Sequence, residues 1–519
     1  MGGSVKPDHD EVSVMQGGNA VPALAGRRRA TYIPFSIMPT FPNTRVPARI
    51  LVPLIVACAL FMENLDSTVL ATSLPAIARE LGENPIDLKL ALTSYLLSLA
   101  IFIPVSGWLA DRLGARLVFR AAIAIFALGS ALAGLSSSMP EIIGARIVQG
   151  VGGAMMVPVG RLVILRTVPK SELVGSLAWL TIPALIGPVM GPPVGGFITT
   201  YFSWRWIFWI NLPIAALGLA LASLYIPDVR AEERTPFDGA GFGLSAFGLA
   251  AVVSGSTALG LEALPIWAAG LLLVTGAAAL AVYARHAARV EHPILDLKLF
   301  RIASFRAAIL GGSLFRIGIG AAPFLLPLML QIGFGLNAFQ SGLLTFASAL
   351  GALFMKFTAK PILKRFGFRA TMTTNAVVAA ALMTTPALFT PATPAAVMLG
   401  ALLVGGFFRS LQFTSVNALG YADVDQERMS GATSLASVAQ QLSLSLGVSF
   451  AALSLEAILA ERGGTELQAG DFPLAFVAIG LISASSVVIF ARLRPDAGEE
   501  VSGHVQPRPD PVTAARERA

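Results

Sequence analysis

Apolar runs separated by short polar segments fill the chain from residue 47 to residue 493. They fall near 49–75, 88–110, 117–138, 141–165, 173–199, 205–226, 238–260, 264–284, 304–331, 338–358, 370–389, 394–419, 430–459 and 471–492. A helix crosses a bilayer in roughly 20 residues at about 1.5 Å each, and each run meets that length. Lipid offers no partner to a bare N–H or C=O, so runs of this length predict helices. The pattern predicts an all-α polytopic membrane protein with about 14 transmembrane helices.

Lys and Arg alternate between the two sets of connecting loops. One set holds Arg112, Arg116 and Arg120, then Arg166 and Lys170, then Arg230 and Arg234. It continues through Arg285, Arg289, Lys298 and Arg301, through Lys360, Lys364, Arg365 and Arg369, and ends with Arg428. The other set holds little beyond Arg79, Lys89, Arg205 and Arg462. By the positive-inside rule the first set is cytoplasmic, and an even number of spans places both termini with it.

The longest internal loop, 286–303, is basic with Leu295, Leu297, Leu299 and Phe300 interleaved, as expected of a short interfacial segment. The chain then divides into a polar N-terminal arm (1–46), a six-helix bundle (47–228), two extra spans (229–285), the linker loop (286–303), a second six-helix bundle (304–493) and a tail (494–519). Both arms are expected to be disordered and cytoplasmic. Arg27, Arg28 and Arg29 precede a stretch broken by Pro34, Pro39 and Pro42, which does not read as a signal peptide. The two halves echo one another: GWLADRLGARLVFR (107–120) and KPILKRFGFRATM (360–372) each set basic residues around a turn glycine, Gly114 and Gly367.

Only 13% of the 519 residues are charged, against about 25% in soluble domains. Charges inside the spans therefore stand out. Glu63 and Asp66, three apart in the first run, share one helix face with Asn64 close by. An ionisable group at that depth costs about 2.5–3.5 kcal/mol on insertion scales and marks a candidate functional site. Arg146 sits inside the fourth span at a depth similar to that of Asp66, with Gln149 one turn on. A buried Arg needs a partner, and Asp66 is the natural one. The pair would keep Asp66 charged, while burial of Glu63, further from Arg146, would favour its protonated form. Two carboxylates of divergent proton affinity make a candidate proton-coupling device, in which either Glu63 or Asp66 carries the proton.

Cys58 is the only cysteine, which excludes intramolecular disulfides and cysteine-built metal sites. His9, His286, His292 and His504 all fall outside the apolar runs, so intramembrane proton chemistry is left to carboxylates. The net charge of +7 is accounted for by the loops and needs no nucleic acid. No phosphate-binding loop, metal cluster or large soluble domain points to an enzyme or receptor.

Two glycine-rich segments are the most specific local patterns. In GWLADRLGAR (107–116), Gly107 allows close helix approach and Gly114 a tight turn. Asp111 is placed to pair with Arg112 or Arg116, or to face a helix N-terminus, as a latch between conformations. In GPVMGPPVGG (187–196), Gly187, Gly191 and Gly195 recur every fourth residue, with Gly196 beside them and Pro188, Pro192 and Pro193 favouring a bend. In the second half, Arg316, Phe324, Arg409, Gln412 and Asn417 are candidate cavity residues, aromatic and polar groups suited to varied amphipathic ligands. If Arg316 and Arg409 both faced the cavity they would disfavour a purely cationic substrate.

The first segment resembles the signature loop of the major facilitator superfamily, G-x-x-x-D-R-x-G-R-R, with Ala115 in place of the first closing Arg. Arg146, Gln149, Gly150 and Gly153 resemble its fourth-helix motif. The Gly/Pro segment is similar to the G-x-x-x-G-P-x-x-G-G motif of its antiporter branch, with Ala178 replacing an earlier Gly. LDSTVLATSLP (65–75), SWRWIFWINLPIA (203–215) and HPILDLKLFR (292–301) resemble the fourteen-helix drug:proton antiporter family, in which an Asp at the place of Asp66 is usual. The resemblance covers about residues 47–490. It implies two six-helix bundles and two extra helices, alternating access, and protons as coupling ion with no other cofactor. The implied protein sits in the lipid bilayer of a bacterial inner (plasma) membrane and exports amphipathic small molecules. No long periplasmic loop or heptad repeat offers a docking surface, so a monomer is expected. A coupled or passive carrier of one metabolite on the same fold is the alternative.

Overall fold

A computed structural model describes residues 47–168, 172–227, 236–259 and 265–504. The arm at 1–46 and the last part of the tail lie outside the described residues. The fourteen expected helices are all present. The first half contributes α1 (Ala48–Leu81), α2 (Lys89–Leu113), α3 (Ala115–Leu135), α4 (Met139–Thr167), α5 (Leu173–Tyr201) and α6 (Trp206–Tyr225). Then come α7 (Gly239–Ala258) and α8 (Ile266–Arg289). The second half contributes α9 (Ala303–Leu328), α10 (338–366), α11 (368–384), α12 (Ala395–Ala422), α13 (Met429–Arg462) and α14 (Ala469–Phe490). α10 and α11 run together and are separated by Gly367 at φ 69°, ψ 173°. Gly114, between α2 and α3, stands at φ 95°. The echo read in the sequence is thus a repeated turn that glycine enters without a Cβ penalty.

α1 continues to Leu81, past the expected end at 75, because IAREL is a helix-forming run and Pro75 is accommodated inside the helix. Gly82, left-handed at φ 70°, ends it by donating its N–H to Ala78 O. The SWRW segment fastens that end: Trp204 Nε1 donates to Glu80 Oε2 at 2.7 Å and Arg205 pairs with the same carboxylate.

Small residues set the helix pairings. A Cβ on Gly191 or Gly195 would meet Thr68 Oγ1 at 1.9 Å or Thr72 Oγ1 at 2.6 Å, so α5 lies directly on α1. Gly129 abuts the Gln149 backbone and Gly152 that of Phe126, which presses α4 onto α3. In the second half a Cβ on Gly406 would meet Ser348 O at 2.0 Å, fixing α12 against α10. In the absence of a hydrophobic force between helices in lipid, such close backbone approach supplies much of the packing energy.

α7 packs on α8 and also touches α2 and α13, and Thr257 Oγ1 lies 2.8 Å from Ser449 Oγ. The linker loop does not lie free at an interface as its leucines imply. Leu295 and Leu299 are buried with Phe305, Val424 and Leu435, because the loop folds back over α8, α9 and α13. Asp296 pairs with Arg428 at 2.9 Å. Asp238 pins the other end, capping α7 through Gly241 N–H and meeting His286 Nε2 at 2.7 Å. Burial alone would raise the Asp238 carboxyl, but hydrogen bonds with His286, Gly241 and Ile294 together hold it below the usual carboxylate range. His286 stands in the last turn of α8, not clear of the spans. The start of the tail is also ordered: a short helix, Glu499–Ser502, follows Gly498, which packs against Phe368, and His504 Nδ1 lies 3.0 Å from Lys364 O.

The two halves meet tightly at one end, the face whose loops are poor in Lys and Arg. A Cβ on Gly196 would lie 2.3 Å from Ala338 O, and one on Gly342 would lie 2.2 Å from Pro192 O. Phe339 N donates to Thr200 Oγ1 at 3.0 Å, and Gln331, on a π turn at Met329–Gly333, donates to Thr72 O at 2.9 Å. Lys89, fully buried at the start of α2, pairs with Glu456 of α13 at 2.6 Å. Toward the opposite, basic face, a Cβ on Gly107 would meet nothing within 4 Å. The close approach expected at Gly107 is therefore not made in this conformation.

Gly342→Ala forces the α5–α10 seal apart. The expected result is several-fold faster labelling, from the charge-poor face, of a cysteine placed at Ala71 in a Cys58→Ser background. Unchanged labelling would show that this contact does not hold the face shut.

Candidate functional site

A buried polar network lies inside the first bundle. Asp66 is 2% exposed and Arg146 1%. Arg146 Nη1 donates to Asp66 Oδ2 at 2.5 Å and to Gln149 Oε1 at 2.6 Å. Gln149 Nε2 donates to Asp66 Oδ1 at 2.8 Å, and Asn211 Nδ2 donates to the same oxygen at 2.9 Å. Arg146 Nε reaches the Ala91 carbonyl at 3.2 Å, and its guanidinium lies 4.2 Å from the centre of the Tyr95 ring. Both carboxylate oxygens of Asp66 are thus engaged. A buried ion pair repays its desolvation only when the remaining donors and acceptors are satisfied in this way.

The glycines of α4 make the geometry possible. Gly150 fits against Ser98 and the Tyr95 carbonyl, and Gly153 against the Tyr95 hydroxyl. A larger residue at either would push Arg146 and Gln149 away from α1. The pair expected between Asp66 and Arg146 is formed. Asn211 and Tyr95 were not expected in it. Their signal in the sequence was a polar group inside an apolar run, Asn211 in WINLPIA and Tyr95 in LTSYLL.

Glu63, one turn from Asp66, has no such company. Its Oε2 is buried and without a hydrogen-bond partner among the described residues. Arg161, toward the basic-face end of α4, is a cation within electrostatic reach. Asn64 ties its amide to Leu60 O at 2.8 Å and also borders the space between the halves.

That space is a cavity of about 440 Å³. Asn64, Ser67, Thr68 and Thr72 of α1 form one wall, with Pro188 and Pro192 of α5. α9, α10, α12 and α13 form the rest, and Phe413 supplies the aromatic surface. Of the second-half residues expected in the cavity, only Arg409 lines it. Phe324 is buried in the apolar core, and Gln412 is fully buried, accepting from Asn375 at 2.8 Å. Arg316 and Asn417 bond to each other at 2.6 Å behind Phe413. The helical rotation that takes Arg409 inward carries Gln412, three residues on, toward α11.

The loop after α2 is also partnered differently from the sequence expectation. Asp111 pairs neither with Arg112 nor with Arg116 but with Arg166, at the end of α4, at 2.6 Å. Arg112 lies over the Trp108 ring, and Arg116 donates to the Ser223 carbonyl of α6. Local spacing favoured the near cations, whereas the turn at Gly114 directs Arg116 back toward α6.

The family model for the Major Facilitator Superfamily matches residues 56–448 and 308–517. The chain belongs to the major facilitator superfamily. Among curated relatives it is 39% identical over 454 residues to "Putative multidrug resistance protein MdtD" of Serratia proteamaculans, covering 85% of this chain and 93% of that one. A protein of the same name from Cronobacter sakazakii is 38% identical over 453 residues, covering 85% and 94%. Among solved structures, a D-xylose-proton symporter aligns with a TM-score of 0.62 at 16% identity, covering 86% of this chain and 98% of that one. A bacterial homolog of the human lysosomal transporter Spinster aligns at 0.60 and 14%, covering 90% and 100%. These two likenesses concern the fold. The chain is a multi-pass membrane transporter, not an enzyme.

Within the superfamily frame the Asp111–Arg166 pair ties α2 to α4 at the basic face, inside one bundle. Asp111→Asn is expected to slow turnover more than it weakens substrate binding. Unchanged turnover would remove the latch.

Proposed function

We propose that this transporter is a proton-coupled antiporter that exports amphipathic small molecules by alternating access, and that the multidrug resistance named for its relatives extends to it. On this reading the face with the basic loops and both termini is cytoplasmic, and the membrane is the inner one. The conformation sealed at Gly196–Ala338 and Gly342–Pro192 is then closed to the outside.

One observation carries the reading. α1 bears two functions on two faces: Asn64, Ser67 and Thr68 border the cavity, while Glu63 and Asp66 turn into the first bundle. Movement of α1 against α5 couples the two. Asp66 is held by Arg146, Gln149 and Asn211 and serves to position the helix. Glu63, with a buried oxygen that has no hydrogen-bond partner among the described residues, is where a proton removes an uncompensated charge. Protonation from outside and release inside, one turn from the substrate wall, exchange a proton for an outgoing molecule. No further cofactor is invoked, and the working unit is a single chain.

The test is proton movement in everted vesicles holding the protein, with a panel of lipophilic compounds added. A compound that dissipates the pH gradient with the parent protein, and not with Glu63→Gln, supports antiport. Transport that persists unchanged after collapse of the gradient would replace this reading with a passive carrier.

A further inference from the structure

The central cavity is positively charged without compensation. Lys356 of α10 and Arg409 of α12 line it, and no Asp or Glu does so among the described residues. Each cation has only a neutral hydroxyl for company. Lys356 Nζ donates to Thr414 Oγ1 at 2.8 Å, and Arg409 Nη2 donates to Ser348 Oγ at 2.8 Å. Behind the wall stands a third cation, Arg316, 2% exposed, whose Nε and Nη1 are buried without an acceptor. Its guanidinium lies 5.4 Å from the centre of the Phe413 ring, which itself lines the cavity.

None of the three cations takes part in an ion pair among the described residues. A Lys or Arg at the centre of a membrane helix costs about 2.5–3.5 kcal/mol on insertion scales, so cations retained there are paired or functional. Two acids of the second-half spans are already partnered. Glu456 is committed to Lys89 and Asp471 to Arg462, both toward the charge-poor face. Of the acids in the first-half spans, Asp66 is consumed by Arg146, and Glu63 lies outside the lining. The second bundle therefore presents positive potential to the cavity, and no acid among the described lining residues neutralises it.

We propose that the cavity binds an amphipathic organic anion, its carboxylate, sulfonate or phosphate held by Arg409 and Lys356 and its apolar body lying against Phe413, Pro323 and Leu326. The Arg409 fork suits two oxygens of one acidic group, and Lys356 acts as a mobile point charge. Ser348 and Lys356 are eight residues apart on α10, about 12 Å along the axis. The two cations thus mark successive levels, Lys356 nearer the basic face and Arg409 deeper. Arg316 is a positioning residue, adding fixed charge behind the aromatic wall. Gly406 against Ser348 O sets the register that brings Arg409 to its hydroxyl. A lipophilic cation gains the same apolar contacts and meets two like charges, so the cavity discriminates against it. This assignment rests on the transport reading for its site and extends that reading to a substrate class.

The experiment is equilibrium binding, without any gradient, to the full-length protein in phosphatidylcholine vesicles. The probes are radiolabelled taurocholate, salicylate and tetraphenylphosphonium. At least one anion is expected to bind more than tenfold tighter than tetraphenylphosphonium. Arg409→Gln with Lys356→Gln is expected to lower anion affinity more than tenfold and leave cation binding equal or stronger. Arg409→Lys is expected to retain part of the affinity, which a misfolded variant would not. Equal or tighter binding of the cation by the parent protein, failure of both anions to bind, or a double variant that binds them normally overturns the assignment. Displacement of the anions by phosphatidylglycerol in the vesicles would reassign the site to a lipid headgroup and overturn the small-molecule form. A failure of proton coupling leaves this equilibrium measurement untouched, so the two readings fail separately.

Discussion

Glu63→Gln is expected to abolish transport driven by a pH gradient while leaving downhill exchange of substrate intact. The two side chains have the same shape, and the amide is fixed in the uncharged state. The variant therefore resembles a carrier that has taken its proton and cannot release it. Because Oε2 of Glu63 has no donor to lose, the substitution breaks no hydrogen bond at that atom and costs little stability. An acid in a structural pair behaves otherwise: its removal orphans a partner and costs roughly 3–5 kcal/mol. The measurement pairs proton release in everted vesicles with counterflow of a labelled substrate in the same preparation. Loss of the first with retention of the second is the expected outcome. A variant that still dissipates the gradient would show that the coupling proton resides elsewhere, and Asp66 would be the next group to test.

The fold was legible because lipid leaves few alternatives. Runs such as 117–138 or 394–419 can only be helices, and their number follows from length. Helix ends were less legible, since α1 continues through Pro75 to Leu81 after its hydrophobic pattern stops. The two turn glycines could be read from their setting between basic residues, and both stand at positive φ. The Asp66–Arg146 pair was readable from depth alone, because two opposite charges in neighbouring spans have few other partners. Asn211 was harder. It lies 145 residues from Asp66, and only the fold of α6 across the bundle brings them together. The Lys89–Glu456 pair was hidden in a different way. Lys89 reads as a loop cation, and only the packing of α2 against α13 removes it from water. The cavity lining depends on helix rotation, which apolar runs with little amphipathic contrast do not encode. Hence Arg409 was placed correctly and Gln412, on the same helix, was not.

Removing both members of the Asp66–Arg146 pair is expected to destabilise the protein by less than the sum of removing each alone. Asp66→Asn leaves a buried guanidinium without a counter-charge, and Arg146→Gln leaves a buried carboxylate with amide donors alone. Each is expected to cost roughly 3–5 kcal/mol. Folded domains are stable by only about 5–15 kcal/mol, so either single variant should accumulate poorly in the membrane. The double variant keeps neutral hydrogen-bonding groups near Gln149, Asn211 and the Ala91 carbonyl. Its cost should fall short of the sum of the single costs by up to about 3 kcal/mol, the range found for residues in direct contact. Thermal unfolding of the four proteins in one detergent closes the cycle. Additive costs would mean that the pair contributes no coupling to stability. Asp66→Asn with normal stability and no gradient-driven transport would go further. It would transfer the proton from Glu63 to Asp66 and recast Arg146 as the group that releases it.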